Sequence, residues 1–193
     1  FIGNAILNFM FTDWFSASYN LGIDTYTMQL KNIVAVNSRT APPGTIEERD
    51  RTSTQINSDL LLNFEKSFGE LDASLTLGNN FFSTGWKEVW GDAYGLEIPG
   101  FYHLSNSSDN QTGTETDDKY RTAAVFADLQ LALMDMIYLG ATGRNDWSTT
   151  MPEDNLSAFY PSVSLGFIFT ELGPLQDNNI LSFGKLRGSW AKT

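Results

Sequence analysis

Cysteine is absent from the 193 residues, so neither a disulfide nor a thiolate metal site can be built. Basic residues are scarce as well. Twelve lysines and arginines stand against 23 aspartates and glutamates, a formal net charge of -11. That balance argues against a nucleic-acid partner, whose phosphates demand a basic footprint. No run of about 18 apolar residues occurs, which excludes a transmembrane helix. A membrane-spanning β-barrel stays open, because its strands turn only about half of their residues towards lipid. One histidine, His103, is present, and no serine lies in a recognisable nucleophile motif. A serine–histidine hydrolase would need His103 on a strand rim beside a serine. No catalytic constellation is read, and no enzymatic activity is expected.

What the chain has is alternation. Between Phe159 and Thr170, Val163, Leu165, Phe167 and Phe169 share one parity, and Ser162, Ser164, Gly166 and Thr170 the other, with Ile168 as the exception. A period of two places apolar side chains on one face of a strand and small or polar ones on the opposite face. Trp147, Phe159 and Tyr160 sit where this run meets the polar loop 145–157. Apolar outward, polar inward and aromatic at the rim is the pattern of an outer-membrane barrel strand.

The pattern recurs along the chain. Ala5, Leu7, Phe9 and Phe11 alternate with Asn4, Asn8 and Thr12, and Asp13 turns the chain into a run from Phe15 towards Val36. Ile56, Leu60, Leu62 and Phe64 oppose Asn57, Asp59, Asn63 and Glu65. After a turn at 68–70, Leu71, Ala73, Leu75 and Leu77 oppose Asp72, Ser74, Thr76 and Gly78. Val125, Leu129, Leu131 and Leu133 precede a turn at Met134-Asp135, and Ile137, Leu139 and Ala141 follow it. Ile180 to Ala191 supplies the last strand. Eight strands result. Their connections run short (near Asp13), long (37–52), short (68–70), long (83–119), short (134–135), long (145–157) and medium (171–179). The low-complexity stretch Ser105 to Asp118 reads as loop. In an up-and-down sheet the short turns then fall on one edge and the long loops on the other, as in bacterial outer-membrane barrels. A soluble all-β carbohydrate-binding module, or a small outer-membrane barrel closed by eight strands, are the alternatives.

The runs RNDWSTTMPEDN (144–155), FYPSVSLGFIFTEL (159–172) and ILSFGKLRGSWAKT (180–193) closely resemble the barrel region of the SusC/RagA family of TonB-dependent outer-membrane transporters. FIGNAILNFMFTDW (1–14), YNLGIDTYT (19–27), INSDLLLNFEKSF (56–68) and IPGFYHLSN (98–106) fit the same family in the same order. The resemblance implies an all-β, antiparallel, up-and-down transmembrane barrel, of which residues 1–193 supply eight strands out of roughly 22. It implies import of glycans or peptides across the outer membrane of a Gram-negative bacterium. A SusD-like surface lipoprotein would be the lid, TonB the source of energy, and outer-membrane lipid the surroundings. Plug, TonB box and N-terminal extension are not found in this sequence. Starting at Phe1 and ending at Thr193 inside strand-like patterns, the chain reads as an excerpt of a longer one.

Trp86, Trp90, Tyr94 and Tyr102 are the candidates for ligand contact. They lie in the longest connection, and aromatic faces suit sugar rings or apolar peptide side chains. Packing of the loop on itself, or a place in the outer girdle, is the competing role. Trp14, Phe15, Phe68 and Trp190 read as girdle or lipid-facing residues, and Asn57, Asp59, Asn63, Asp72, Asp128 and Arg144 as lumen-facing ones. Asp109, Glu115, Asp117 and Asp118 lack the spacing of a calcium loop, as do Asp146, Glu153 and Asp154. No metal and no cofactor is expected.

Overall fold

The alternating runs form strands throughout. The computed structural model describes residues 1–107, 111–152, 156–173 and 181–192. It contains β1 (Ile2–Thr12), β2 (Phe15–Val34), β3 (Thr45–Phe68), β4 (Leu71–Tyr94), β5 (Gln111–Leu133), β6 (Ile137–Ser148), β7 (Ser157–Ile168) and β8 (Lys185–Ala191). All eight belong to one sheet in the order β1-β2-β3-β4-β5-β6-β7-β8, so each strand pairs with its neighbours in sequence. A sandwich needs a second sheet to cover the apolar face of the first, and the described residues form one sheet. β1 and β8 stand at opposite ends of the order, so the eight strands do not close on each other.

The short turns lie where the sequence places them. Met136 N–H donates to Leu133 O at 3.0 Å across Met134 and Asp135, whose φ angles are 56° and 54°. Two successive left-handed residues make a type I′ turn, whose twist suits a hairpin. Gly69, with φ 66°, serves the turn between β3 and β4.

The long connections are shorter than the sequence suggests. β3 begins at Thr45 rather than beyond 52, β4 continues to Tyr94, β5 begins at Gln111, and β6 runs to Ser148. The segment Gln111–Asp118, expected as loop, is therefore strand. Hydrophobic alternation marks a strand only where one of its faces meets an apolar medium. A stretch such as QTGTETDDK, polar on both faces, carries no such mark and is ordered by pairing with β4. β8 starts at Lys185, and Ile180, the expected start, lies outside the described residues. The run after Phe159 ends as a strand at Ile168, and Phe169–Glu171 forms a 3-10 turn. Ile168 therefore breaks the alternation at the strand's last residue, where its side chain is buried.

Two compact units are distinguished by their contacts. One consists of Asn4–Gly22, Asn57–Phe82 and Arg121–Thr193, the other of Phe1–Gly3, Ile23–Ile56 and Ser83–Tyr120.

In the first unit, the register of β5 to β8 separates the two faces. Leu129, Ala141, Val163 and Trp190 form one row across the strands; Leu131, Leu139, Leu165 and Gly188 form another; Leu133, Ile137, Phe167 and Leu186 form a third. Residues opposed across a ladder share a face. The opposite face carries Gln130, Gly140, Ser164 and Ser189, then Asp128, Thr142 and Ser162, then Phe126, Arg144 and Tyr160. The apolar rows are open to the surroundings: Leu165 is 54% exposed and Trp190 59%. On β7 the apolar row spans residues 159 to 167, matching the ~9–11 residues with which a barrel strand crosses a bilayer.

An aromatic chain joins β1, β2 and β3 beside the short turns. Ring centroids are 4.9 Å apart for Phe11–Phe15, 4.7 Å for Phe15–Phe64 and 6.3 Å for Trp14–Phe64. Lys66 Nζ lies 5.8 Å from the Trp14 ring and 5.9 Å from the Phe68 ring. Rings edged by a lysine suit a membrane–water interface.

In the second unit, the connections 35–44 and 95–107 pack on each other. Ile46, Ala93 and Leu96 are buried there, with Val36, Tyr102 and Leu104 against them. Gly95 N–H donates to Gly44 O at 3.0 Å and Leu96 N–H to Pro43 O at 2.8 Å. Asn106 is the clamp of 97–106. Its Nδ2 donates to Ile98 O (2.9 Å) and Phe101 O (2.5 Å), its Oδ1 accepts from Ile98 N–H (2.9 Å), and its backbone O accepts from Glu97 N–H (2.9 Å).

Candidate functional site

Hydrogen-bonding and charged side chains gather on the polar face of the sheet, so the candidate site is built from that face strand by strand. Odd-numbered residues of β3 share one side. They include Glu47, Arg49, Arg51, Asn57, Asp59 and Asn63. Thr76 Oγ1 donates to Asn63 Oδ1 at 3.0 Å, which puts the even-numbered residues of β4 on the same side.

Within the first unit, the banded one for its apolar rows, this face is a carboxamide–carboxylate network. Asn57 Nδ2 donates to Asp59 Oδ2 at 2.6 Å, and Asn80 Nδ2 donates to Asp59 Oδ1 at 2.5 Å and Asn57 Oδ1 at 3.2 Å. Asn20 Oδ1 is buried without a hydrogen-bond partner among the described residues. Farther round, Arg144 pairs with Asp146 at 2.8 Å and lies 5.6 Å from the centroid of Phe126. The Phe126 ring covers Gly78, where a Cβ would meet it at 2.0 Å, so only glycine admits the ring there. Lys185 Nζ sits 4.3 Å from the Tyr138 ring. Asn57, Asp59, Asn63 and Arg144 thus lie on the polar side that the alternation assigns them, as does Asp128, which accepts from Gln130 at 2.7 Å.

Within the second unit, the loop-bearing one for its packed connections, the face is aromatic and charged. Arg49 Nε donates to Glu47 Oε1 at 2.5 Å, Asn32 Nδ2 to Glu47 Oε2 at 3.2 Å, and Trp90 Nε1 to Glu47 Oε1 at 3.2 Å. The Asn32 hydrogen bond first, then Arg49, hold the Glu47 carboxyl below its usual value. Arg49 lies 5.5 Å from the Trp90 centroid, and Arg51 4.2 Å from that of Trp86.

The four expected ligand contacts separate here. Trp86 and Trp90 lie on β4 rather than in a loop, on the polar face and half-buried. Tyr94 is the last residue of β4 and exposed. Tyr102 packs on Ile46, Ala93 and Leu96, and its carbonyl accepts from Lys31 Nζ at 2.8 Å. It serves the packing of the loop. Glu47, Arg49 and Arg51 carry no sequence signal of their place on this face, because the run EERDR reads as solvated charge. Once it is a strand, alternation puts Glu47, Arg49 and Arg51 on one face and Glu48 and Asp50 on the other.

His103 does stand beside a serine: its Nδ1 lies 2.7 Å from Ser105 Oγ. The same nitrogen accepts the Ser105 backbone N–H at 3.2 Å, so the pair caps the 3-10 turn Leu104–Asn106. Glu115 pairs with Lys87 at 2.7 Å, and strand geometry sends Asp117 and Asp118 to opposite faces. Asp109, Glu153 and Asp154 lie outside the described residues. Among the described residues no group of three or more histidines and carboxylates is placed to hold a metal.

Residues 4–193 match the family model described as TonB dependent receptor-like, beta-barrel. The chain belongs to that TonB-dependent receptor β-barrel family. It is 28% identical over 141 residues to TonB-dependent receptor P26 of Formosa agariphila, covering 71% of this chain and 14% of that protein. Its fold matches the RagAB peptide transporter with a TM-score of 0.85 at 18% identity, over 97% of this chain and 22% of the other. It also matches BauA, the ferric preacinetobactin receptor of Acinetobacter baumannii, with a TM-score of 0.52 at 15% identity, over 85% and 27%. The SusC/RagA resemblance drawn from the sequence agrees with these matches. The chain spans about a fifth of the RagAB chain and about a seventh of the P26 receptor. Members of this TonB-dependent receptor family are outer-membrane barrels, in which the apolar face meets lipid and the polar face the lumen.

Proposed function

We propose that this chain is a section of the wall of an outer-membrane transporter of a Gram-negative bacterium, importing oligosaccharides or peptides with energy relayed by TonB. A SusD-like surface lipoprotein is the partner this reading calls for. The observation that carries it is the sorting of the sheet into an exposed apolar face and a hydrogen-bonded polar face, with no second sheet to cover the first among the described residues. The wall itself is not an enzyme: its polar face binds and guides. Trp86 and Trp90 are the residues proposed to meet substrate, with Tyr94 at the mouth; Tyr102 keeps a packing role.

The test is uptake by cells that carry or lack the full-length gene. Fluorescent oligopeptides and oligosaccharides are offered as separate pools, with and without a protonophore. Loss of uptake of one pool on deletion, and its loss on de-energising the cell, is the expected result. Uptake of both pools unchanged by deletion would overturn the reading.

A further inference from the structure

The two arginine–tryptophan pairs on the polar face look alike and differ in charge balance. Arg49 is neutralised, since Glu47 takes its Nε–H at 2.5 Å and is itself fixed by Asn32 and Trp90. Arg51, two residues on and on the same face, has no ion pair among the described residues, and its Nε is buried without a hydrogen-bond partner. Its guanidinium rests 4.2 Å from the Trp86 ring centroid. Stacking on an indole leaves the in-plane N–H groups of a guanidinium unused. With Nε buried, the terminal Nη1 and Nη2 are the pair that can meet a carboxylate in a two-pronged hydrogen bond. The stack also fixes the side chain in advance, so less rotamer freedom is lost when a ligand arrives. Other lysines and arginines also lack an ion pair among the described residues; Arg51 differs from them in joining a buried, partnerless Nε to a stack on an indole.

The geometry points to Arg51, held by Trp86, as a binding subsite for a carboxylate-bearing substrate. An acidic peptide and a uronic-acid oligosaccharide share that chemistry. The inference rests on the transporter reading and adds a substrate class to it. The Arg49 cluster, already internally paired, is the scaffold beside it and takes no substrate carboxylate.

The full-length transporter, purified in detergent, is titrated calorimetrically with four probes: a glutamate-rich peptide, an oligogalacturonide, and a neutral counterpart of each. We expect one of the acidic probes to bind, and which one identifies the source. Arg51→Gln should weaken that probe at least tenfold and leave the neutral counterparts within twofold. Arg51→Lys should restore part of the loss, because charge returns without the planar fork. Trp86→Leu should weaken the acidic probe by freeing the arginine. Retained heat-modifiability in gel electrophoresis identifies variants that still fold as barrels, and Arg49→Gln is the comparison for a general loss of positive charge. Equal binding of the acidic probe by wild type and Arg51→Gln would overturn the subsite, as would equal weakening of acidic and neutral probes. If neutral probes bind and are taken up while neither acidic probe binds, the subsite falls and the transporter reading stands. If deleting the gene leaves uptake of all four unchanged, both fall.

Discussion

The two units of this chain use one kind of strand for different ends. In the banded unit, the rows across β5 to β8 are apolar on one face and largely polar on the other, and among the described residues no second sheet covers the apolar face. In the loop-bearing unit, both faces of β3, β4 and β5 carry polar side chains, while a small core of Ile46, Ala93 and Leu96 is roofed by two connections. The first unit is stabilised by what surrounds it and the second by what it folds over itself. Where water wets both faces, a sheet needs a protein core again, and the 95–107 connection supplies it.

Charge on the lipid face should break this contrast most sharply. Val163, in a row with Ala141 and Trp190, lies midway along the apolar row. Val163→Arg should cost about 2–4 kcal/mol of folding into lipid vesicles, as cations do at the bilayer midplane. Val89→Arg, an equally exposed valine on β4 in the loop-bearing unit, should stay within about 0.5 kcal/mol. Urea titration of the full-length protein in phosphatidylcholine vesicles measures both. Similar costs for the two would mean that the units do not differ in their surroundings.

The opposite perturbation targets the loop-bearing unit. Asn106→Ala removes a buried carboxamide that serves Ile98 and Phe101. Leaving those backbone groups unpaired should cost about 1–3 kcal/mol. The readout is hydrogen exchange: amides of 97–106 should exchange faster while those of β6 and β7 keep their protection. Loss of protection in both would show that the clamp serves more than its own loop.

These contrasts also account for what the sequence could tell. Val163, Leu165 and Leu139 announced their face because lipid imposes period two on whatever it touches. The turns at Gly69 and Met134-Asp135 were legible for the same reason, as the points where the period restarts. Gln111–Asp118 and Thr45–Arg51 read as loops because water on both faces erases that signal, and long-range pairing alone makes them strands. Trp86 and Trp90 therefore read as loop residues, and Arg51 as a solvated charge. Asn106 gave no sign of its role: an asparagine inside IPGFYHLSN is ordinary, and the four groups it ties come from the folded loop.

A smaller effect comes from the hairpin turn of the banded unit. Met134 and Asp135 hold left-handed conformations that cost a non-glycine residue about 1 kcal/mol or more. Asp135→Gly should stabilise the full-length protein by up to about 1 kcal/mol in the same urea titration. A loss would mean that the Asp135 side chain contributes more than its backbone costs.

The smallest effect expected is a titration, and it bears on the loop-bearing unit alone. Glu47 is held below its ordinary value of 4.5 by the Asn32 hydrogen bond first and by Arg49 next. A carboxyl depressed in the folded state stabilises it above the unfolded value and loses that contribution as the pH falls through the folded one. Between pH 6 and pH 5 the cluster should be indifferent to pH; below 4.5 the Trp90 indole N–H loses an ionised acceptor and Arg49 its partner. The Trp90 indole resonance, assigned with Trp90→Phe, should move with a midpoint below 4.5, and Glu47→Gln should abolish the movement. A midpoint at or above 4.5 would mean that Asn32 and Arg49 do not favour the ionised Glu47 as their contacts imply. The distinction between a neutralised Arg49 and an uncompensated Arg51 would then lose its basis.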